Sequence, residues 1–417
     1  MAIRKRTWAT AKGAKEAWIS DYVDQSGRRH IKTFERKKDA EAFLARASVE
    51  IAEGTHTAAS SSVSISEAAD LWLESCRQAG LEAATIAAYE QHCRLHIKPY
   101  IGRAKLSGLT APAIRELEDR LRRGDPAPGE EKGHPRSAVM VRRTITNLGA
   151  LISDAQERGL VARNVVRDVR KLRRRGAEKR HTERHRGKLK IGTDIPSLNE
   201  IRAFLAALTG TYRPILMTAV FTGLRASELR GLRWCDVDLK RGEIHVRQRV
   251  DFKNSAGPPK SAAGERTVPI PPELANALRE HKATLPPARR ADHAIVFATG
   301  TGAAEYHGNI VKRGLIPAWI AAGVTVPVLD EKGKSAKDEN GKPIVTAKYS
   351  GLHSLRHFFA SWCINRKVDG GLELPAKIVQ ERLGHSTIAM TLDTYSHLFP
   401  RVDDHAEFAA ASAALFN

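Results

Sequence analysis

The chain has 417 residues, enough for roughly three domains and a full core, and 42% of them are hydrophobic. Its 68 Lys and Arg against 47 Asp and Glu leave a net charge of +21, which points to an acidic partner, nucleic acid before a membrane surface. Four cysteines (Cys76, Cys93, Cys235 and Cys363) form no C-x-x-C pair, so composition argues against a zinc ribbon or a disulfide framework, and no apolar run reaches the ~18 residues of a membrane span. The start, Met1-Ala-Ile-Arg-Lys-Arg6, leads into Trp8, Thr10 and Lys12 rather than an apolar run, so no signal peptide is readable and a reducing cytoplasm is expected.

In chain order, Ala17–Val23 and Arg29–Phe34 predict two short strands around a turn at Asp24-Gln25-Ser26-Gly27, and Lys37–Ala52 predicts a helix. This gives a small α+β domain over residues 1–57, followed by a flexible linker, Ala58–Ser64. Residues 65–172 have helical spacing throughout. Ala69, Trp72, Leu73 and Cys76 form one apolar face, and Val141, Ile145, Leu148, Leu151, Ile152 and Ala155 form another, predicting an all-α domain. Gly and Pro make Gly124–His134 a loop.

Lys171–Lys190 holds ten Lys or Arg against two Glu, a local net of +8 with no apolar face. It predicts a basic linker, placed at residues 173–194, that tracks DNA phosphates through Lys171, Arg173, Arg174, Arg175, Lys179 and Arg180. Residues 195–417 then mix helix and strand in a mainly-α α/β domain. Helices are expected over Asn199–Ala207 and Tyr212–Val220, and a half-buried strand over Glu243–Val250 with Ile244, Val246 and Val250 on its inner face. Further on come a strand at Arg266–Ile270, a polar surface hairpin tip or loose insertion at Lys332–Lys342, and an Ala-rich helix at Ala406–Phe416.

Five features of this last region carry chemistry. In Thr222-Gly223-Leu224-Arg225-Ala226-Ser227-Glu228-Leu229, the glycine lets the chain turn so that Arg225 projects inward, with Glu228 three residues on to orient it. A fixed guanidinium suits a phosphate because its planar fork bonds two oxygens at once. Lys260, between the two strands, fits a phosphate contact or a proton donor, and Lys253 lies nearby. In His353-Ser-Leu-Arg356-His357, the first His and the Arg share a helix face; Ser354 rules out a zinc-type H-E-x-x-H. His385 follows Gly384, and Tyr395 sits in Leu392-Asp-Thr-Tyr-Ser-His397. Each residue alone fits an ordinary structural role. Together they are the inventory for metal-free displacement at a phosphodiester: arginines for the non-bridging oxygens, a lysine or histidine for the leaving oxygen, and a tyrosine nucleophile. No acidic cluster with metal-ligand spacing is present to suggest a two-metal nuclease.

In these motifs, Thr222–Leu229, His353–His357 and Leu383-Gly384-His385 with Tyr395 ten residues on, the chain resembles the tyrosine recombinases, specifically the phage-type integrases. The resemblance implies a small arm-site-binding domain of three strands and a helix, a helical core-binding domain and a catalytic domain. It implies that Arg225 and Arg356 grip the scissile phosphate and that Lys260 is the general acid. His353 would assist proton transfer, His385 would bond a phosphate oxygen, Tyr395 would form the 3′-phosphotyrosine, and Glu228 would orient the site from behind. It further implies a C-shaped clamp on duplex attachment sites and a tetramer whose C-terminal segments dock on neighbours. No cofactor, metal or ATP is expected, since bond energy is kept in the phosphotyrosine. Accessory DNA-bending or directionality proteins are admitted as partners, a membrane is not, and a bacterial nucleoid location follows. A type IB topoisomerase or a decayed, non-cutting DNA-binding protein are the competing readings. The basic-linker layout argues against the first and the intact Arg225, Arg356 and Tyr395 against the second.

Overall fold

A computed structural model of the chain describes residues 1–10, 13–24, 27–52, 62–169, 188–330, 333–399, 409 and 412–415. The expected phosphate-tracking residues Lys171, Arg173, Arg174, Arg175, Lys179 and Arg180 lie outside them, as do most of Ala406–Phe416 and the first four residues of the Ala/Ser linker. The chain divides into two compact units, Met1–Arg184 and His185–Asn417.

The first unit opens with an antiparallel meander, β1 (Ala2–Thr10), β2 (Gly13–Val23) and β3 (Arg29–Phe34), followed by helix α1 (Lys37–Ala52). β1 has no counterpart among the strands read from residue pattern. The side chains of residues 2–8 face mostly water, so the strand shows no alternation, and its place is set by pairing with β2. Asp21 on β2 takes the guanidiniums of both Arg29 and Arg4, and these hold its carboxyl well below the usual carboxylate range.

Helix α2 (Ile65–Gln78) starts with a capping box: the Ser64 hydroxyl accepts the Glu67 N–H at 3.2 Å and the Glu67 carboxylate accepts the Ser64 N–H at 2.7 Å. Residues 62–64, expected as the end of a loose linker, are therefore held. Ser62 is buried and its hydroxyl accepts the Ser107 N–H at 3.0 Å. Helix α3 (Ala83–His92) continues through a π-turn at Cys93–Ile97, and α4 (Ala111–Arg123) stops at Gly124, whose φ is +80°. A Cβ there would meet the Pro135 nitrogen at 2.2 Å, so the loop folds back only with glycine at that point. Helix α5 (Ala138–Glu157) buries Val141, Ile145, Leu148, Leu151, Ile152 and Ala155, the face its spacing predicts. Trp72 of α2 stacks on Tyr89 of α3 at 4.7 Å.

In the second unit, α6 (Leu198–Ala207) has its own capping box between Ser197 and Glu200, and α7 (Arg213–Thr222) is buried along nearly its whole length. Helix α8 (Ala226–Gly231) follows. A three-stranded antiparallel sheet has the order β4 (Val237–Asp238), β5 (Glu243–Val246), β8 (Arg266–Pro269). The strand expected over Glu243–Val250 breaks. Arg249–Val250 (β6) instead pairs with Ala256–Gly257 (β7) in a separate ladder. The cause is buried Arg230, which draws the carbonyls of Val250 and Asp251 to 3.3 and 2.7 Å, while Gly231 packs directly under the Arg249 backbone.

Helices α9 (Pro272–Thr284) and α10 (Ile316–Ala321) complete one side of the core, where Trp319 meets Phe204 at 4.1 Å. β9 (Thr325–Pro327) pairs with β10 (Val345–Ala347), and residues 333–342, the described part of the polar stretch expected at Lys332–Lys342, are the largely exposed outer end of this ribbon. Helices α11 (His353–Ile364), α12 (Ala376–Leu383) and α13 (Ile388–Tyr395) close the unit. No described helix is long and apolar enough to cross a membrane.

Leu148 has no exposed surface. Leu148→Ala should destabilise the helical unit by about 2–5 kcal/mol, through lost burial plus the cavity left behind. A urea titration that follows helix content should show that unit melting earlier.

Candidate active site

The site is built around the end of α12. Its last turn leaves backbone carbonyls without helical partners, and these carry the negative end of the helix dipole. Three arginines take three consecutive carbonyls: Arg266 Nε donates to Arg382 O at 2.7 Å, Arg356 Nη2 to Leu383 O at 2.6 Å, and Arg225 Nη2 to Gly384 O at 3.0 Å. Each comes from a different element. Gly223, at φ +59°, ends α7 and turns the chain so that Arg225 becomes the residue before α8. A Cβ at Gly223 would meet Phe359 Cδ1 at 2.4 Å, so the close packing of α7 on α11 also requires glycine. Arg356, on α11 and 2% exposed, returns its other arm to Gly223 O at 2.6 Å.

Glu228 supplies the balancing charge. It is 3% exposed; Oε1 accepts Arg225 Nη1 and Oε2 accepts Arg266 Nη2, both at 2.8 Å, and Oε2 also takes the Arg225 N–H at 2.9 Å. Burial pushes its pKa up, but Arg266 and Arg225 more than offset this and hold it below its ordinary value. One carboxylate facing three guanidiniums leaves net positive charge. Burial, with Arg225 and Arg266 close by, presses Arg356 down to about 9, still a cation at neutral pH. Two of Arg356's five N–H donors are anchored to carbonyls, and the rest remain for an anion.

Gly384, at φ +64°, turns the chain into His385, which is buried, with Nδ1 2.9 Å from the Thr391 hydroxyl. Thr391 and Tyr395 are the buried pair of α13, one helical turn apart. The Tyr395 ring lies parallel to that of His385, with centroids 6.5 Å apart, and its hydroxyl meets His357 Nδ1 at 2.7 Å. His353, at the start of α11, packs edge-on against His357 with centroids 4.5 Å apart. Burial first, then Arg356 and Arg225 for His385 and His353, and His353 and Arg356 for His357, depress His385 and His357 to about 4 and lower His353, so all three are neutral at pH 7. Burial raises Tyr395 to about 12, against a downward pull from Arg356.

Arg225, Glu228, His353, Arg356, His385 and Tyr395 are thus brought together. Lys260 is not part of this buried group; it is exposed on the loop before the 3₁₀ turn Ala262–Gly264. Lys253 is also exposed, on the turn between β6 and β7. Arg230 anchors that turn through Asn254 and bonds Glu305 O at 2.6 Å. Sequence reading missed Arg266, whose only trace was a basic residue opening a predicted strand. His357 lies in the same motif as His353 and Arg356, and its residue type alone assigns it no role.

Two family descriptions match the chain: the phage integrase family over residues 196–313, and the N-terminal SAM-like domain of phage integrase over residues 64–121. The first includes Arg225, Glu228, Lys260 and Arg266 but ends before His353. The chain is similar to a XerC-like tyrosine recombinase of Caldanaerobacter subterraneus subsp. tengcongensis, 28% identical over 232 residues, 52% of this chain. The match spans about half, 54%, of that relative. In fold, it is similar to the Tn1549 transposon integrase solved with transposon right end DNA, at TM-score 0.55 and 17% identity, covering 84% of this chain and 100% of that one. It is also similar in fold to lambda integrase solved as a tetramer on a Holliday junction, at TM-score 0.50 and 16% identity, covering 91% of this chain and 95% of that one.

The neutral histidines make stability depend on pH. Below about 6.5 the unfolded chain protonates His357 and His385, while the folded chain resists until about 4, so stability falls as pH drops through that window. Glu228 acts in the same direction below its ordinary 4.5, as protonation removes the partner of two arginines. Urea midpoints measured from pH 7 to 4 should fall, and His385→Asn should flatten the upper part of the slope.

Proposed function

We propose, from the premise that the chain belongs to the phage integrase family of tyrosine recombinases, that it is a site-specific DNA recombinase that cuts and rejoins duplex DNA through a 3′-phosphotyrosine at Tyr395, integrating or excising a mobile element. The observation that carries this reading is the convergence of two anchored arginines, a buried histidine and a tyrosine on the turn after α12.

A phosphodiester anion would bind the remaining donors of Arg225 and Arg356, which are already fixed by carbonyls and Glu228 and need little reorganisation as charge builds on phosphorus. His385 engages Thr391 through Nδ1, leaving Nε2 for a non-bridging oxygen. The Tyr395 oxygen attacks, the P–O5′ bond breaks, and the leaving oxygen takes a proton from Lys260 or a neighbour, with His353 assisting. Rejoining is the reverse attack by a 5′-hydroxyl. The phosphotyrosine keeps the bond energy, so the reaction needs no ATP. Duplex attachment sites are the substrate, a homotetramer on DNA is the working assembly, and accessory bending or directionality proteins act beside it, in the cytoplasm at the nucleoid. The stretch Lys171–Lys190 supplies sequence-independent phosphate contacts.

Tyr395→Phe should abolish the covalent protein–DNA adduct while leaving DNA binding intact; an adduct formed by the Phe variant would exclude Tyr395 as the nucleophile. Arg225→Lys and Arg356→Lys keep the charge but lose the fork, and each should slow cleavage by ~10² or more. Changing Arg173, Arg174 and Arg175 together to Gln should lower the slope of log affinity against log salt by up to about 2.7, at about 0.9 per phosphate, equally for attachment-site and random DNA. An unchanged slope would confine phosphate binding to the folded units.

A further inference from the structure

Tyr395 is 2% exposed, and a buried phenol cannot hand its proton to bulk water as its oxygen becomes a nucleophile. Among the described residues, that oxygen is in hydrogen-bond contact with His357, with Nδ1 at 2.7 Å. His357 is not among the residues used above to bind or cleave the phosphate. It follows Arg356 on α11, so the helix that holds the phosphate-binding arginine also places an imidazole against the tyrosine of α13.

We propose that His357 is the proton acceptor for the nucleophile: Nδ1 takes the Tyr395 hydroxyl proton as the phenolic oxygen attacks phosphorus. The geometry meets the first requirement of a general base, hydrogen-bond reach of the proton it removes. With the hydroxyl donating to Nδ1, the ring's own proton sits on Nε2. As the Oη–P bond forms and the P–O5′ bond breaks, the phenolic proton moves to His357. The 5′ oxygen is protonated by a different group, Lys260 or a neighbour. In the rejoining half the proton on Nδ1 returns to the departing phenolic oxygen, so the base of one step is the acid of the reverse step.

The charged and titratable groups that act on His357 explain when the transfer occurs. His353 and Arg356 of its own helix oppose a positive imidazole, Asp194 ahead of α6 favours one, and Tyr395 faces it from α13. With the arginines empty, the proton stays on the tyrosine: His357 is held at about 4 and Tyr395 at about 12. A phosphodiester anion on Arg225 and Arg356 cancels part of the cationic field at His357, so its basicity rises when substrate is in place. Free phenolate remains disfavoured, and attack and proton transfer proceed together. The nucleophile is thereby kept protonated until a phosphate is bound.

The test uses the full chain and a nicked duplex taken from the junction beside its coding sequence. It rests on the reading of Tyr395 as nucleophile, and wild-type chain that forms no Tyr395 adduct would sink that reading before His357 is at issue. His357→Asn offers an oxygen near the position of Nδ1 that accepts a hydrogen bond but not a proton. It should bind DNA as wild type does and form the adduct ~10²-fold or more slowly. Added imidazole should restore part of the rate to His357→Ala. A 5′-bridging phosphorothiolate, whose thiolate leaves without a proton, should rescue Lys260→Ala if that lysine is the acid, and should not rescue His357→Asn. Wild-type rates in His357→Asn, phosphorothiolate rescue of it, or failure of imidazole to restore a folded His357→Ala would each overturn the proposal. Loss of DNA binding and of a cooperative melt in both His357 variants would mark the residue as structural and overturn it too.

Discussion

Three arginine side chains meet the end of one short helix, and the geometry of the site depends on that contact. The carbonyls of Arg382, Leu383 and Gly384 need donors once α12 ends, and Arg266, Arg356 and Arg225 provide one each. Because the donors come from a strand, the start of one helix and the body of another, the contact joins β8, α8 and α11 to the turn that carries His385. Glu228 makes the arrangement affordable in electrostatic terms. Removing one partner from a buried, hydrogen-bonded ion pair costs about 3–5 kcal/mol, and loss of Glu228 would leave Arg225 and Arg266 without their counter-charge.

The same contact sets the chemistry. Guanidiniums held by carbonyls do not relax when an anion arrives, and the field they create is therefore present before substrate binds. That field, with burial, keeps three histidines neutral, while burial alone, against the pull of Arg356, keeps the tyrosine protonated. A site that is positive overall yet holds its titratable groups in neutral forms is suited to receive a phosphodiester and to move protons only afterwards. The exposed loop carrying Lys260 stands apart from this rigid centre. Nearby, the buried guanidinium of Arg230 holds the β6–β7 turn through the carbonyls of Val250 and Asp251 and the Asn254 side chain, and bonds the Glu305 carbonyl.

Local sequence determined much of the molecule. Apolar spacing of three and four residues located α2 and α5, because a helix that packs on one face must repeat at the helical period. Ser-x-x-Glu at Ser64 and Ser197 marks two helix starts, and glycines at Gly223 and Gly384 mark two ends, because capping and left-handed turns depend on neighbouring residues alone. The motif residues Arg225, Arg356, His385 and Tyr395 were legible for a different reason: arginine forks, an imidazole and a phenol in one chain imply phosphate chemistry by their functional groups.

Tertiary structure decided what depends on distant partners. β1 is exposed on its faces and exists by pairing with β2, so no alternation announces it. The run Glu243–Val250 alternates like one strand, yet a buried arginine from α8 captures its far end and splits it. Arg266 reads as an ordinary strand residue until its contacts with Glu228 and the Arg382 carbonyl, 116 residues away, are seen. His357 becomes meaningful only when α13 sets a hydroxyl against it. A sequence specifies these residues one at a time, whereas hydrogen-bond reach, burial and the field of neighbouring charges belong to groups that folding alone brings within a few ångströms.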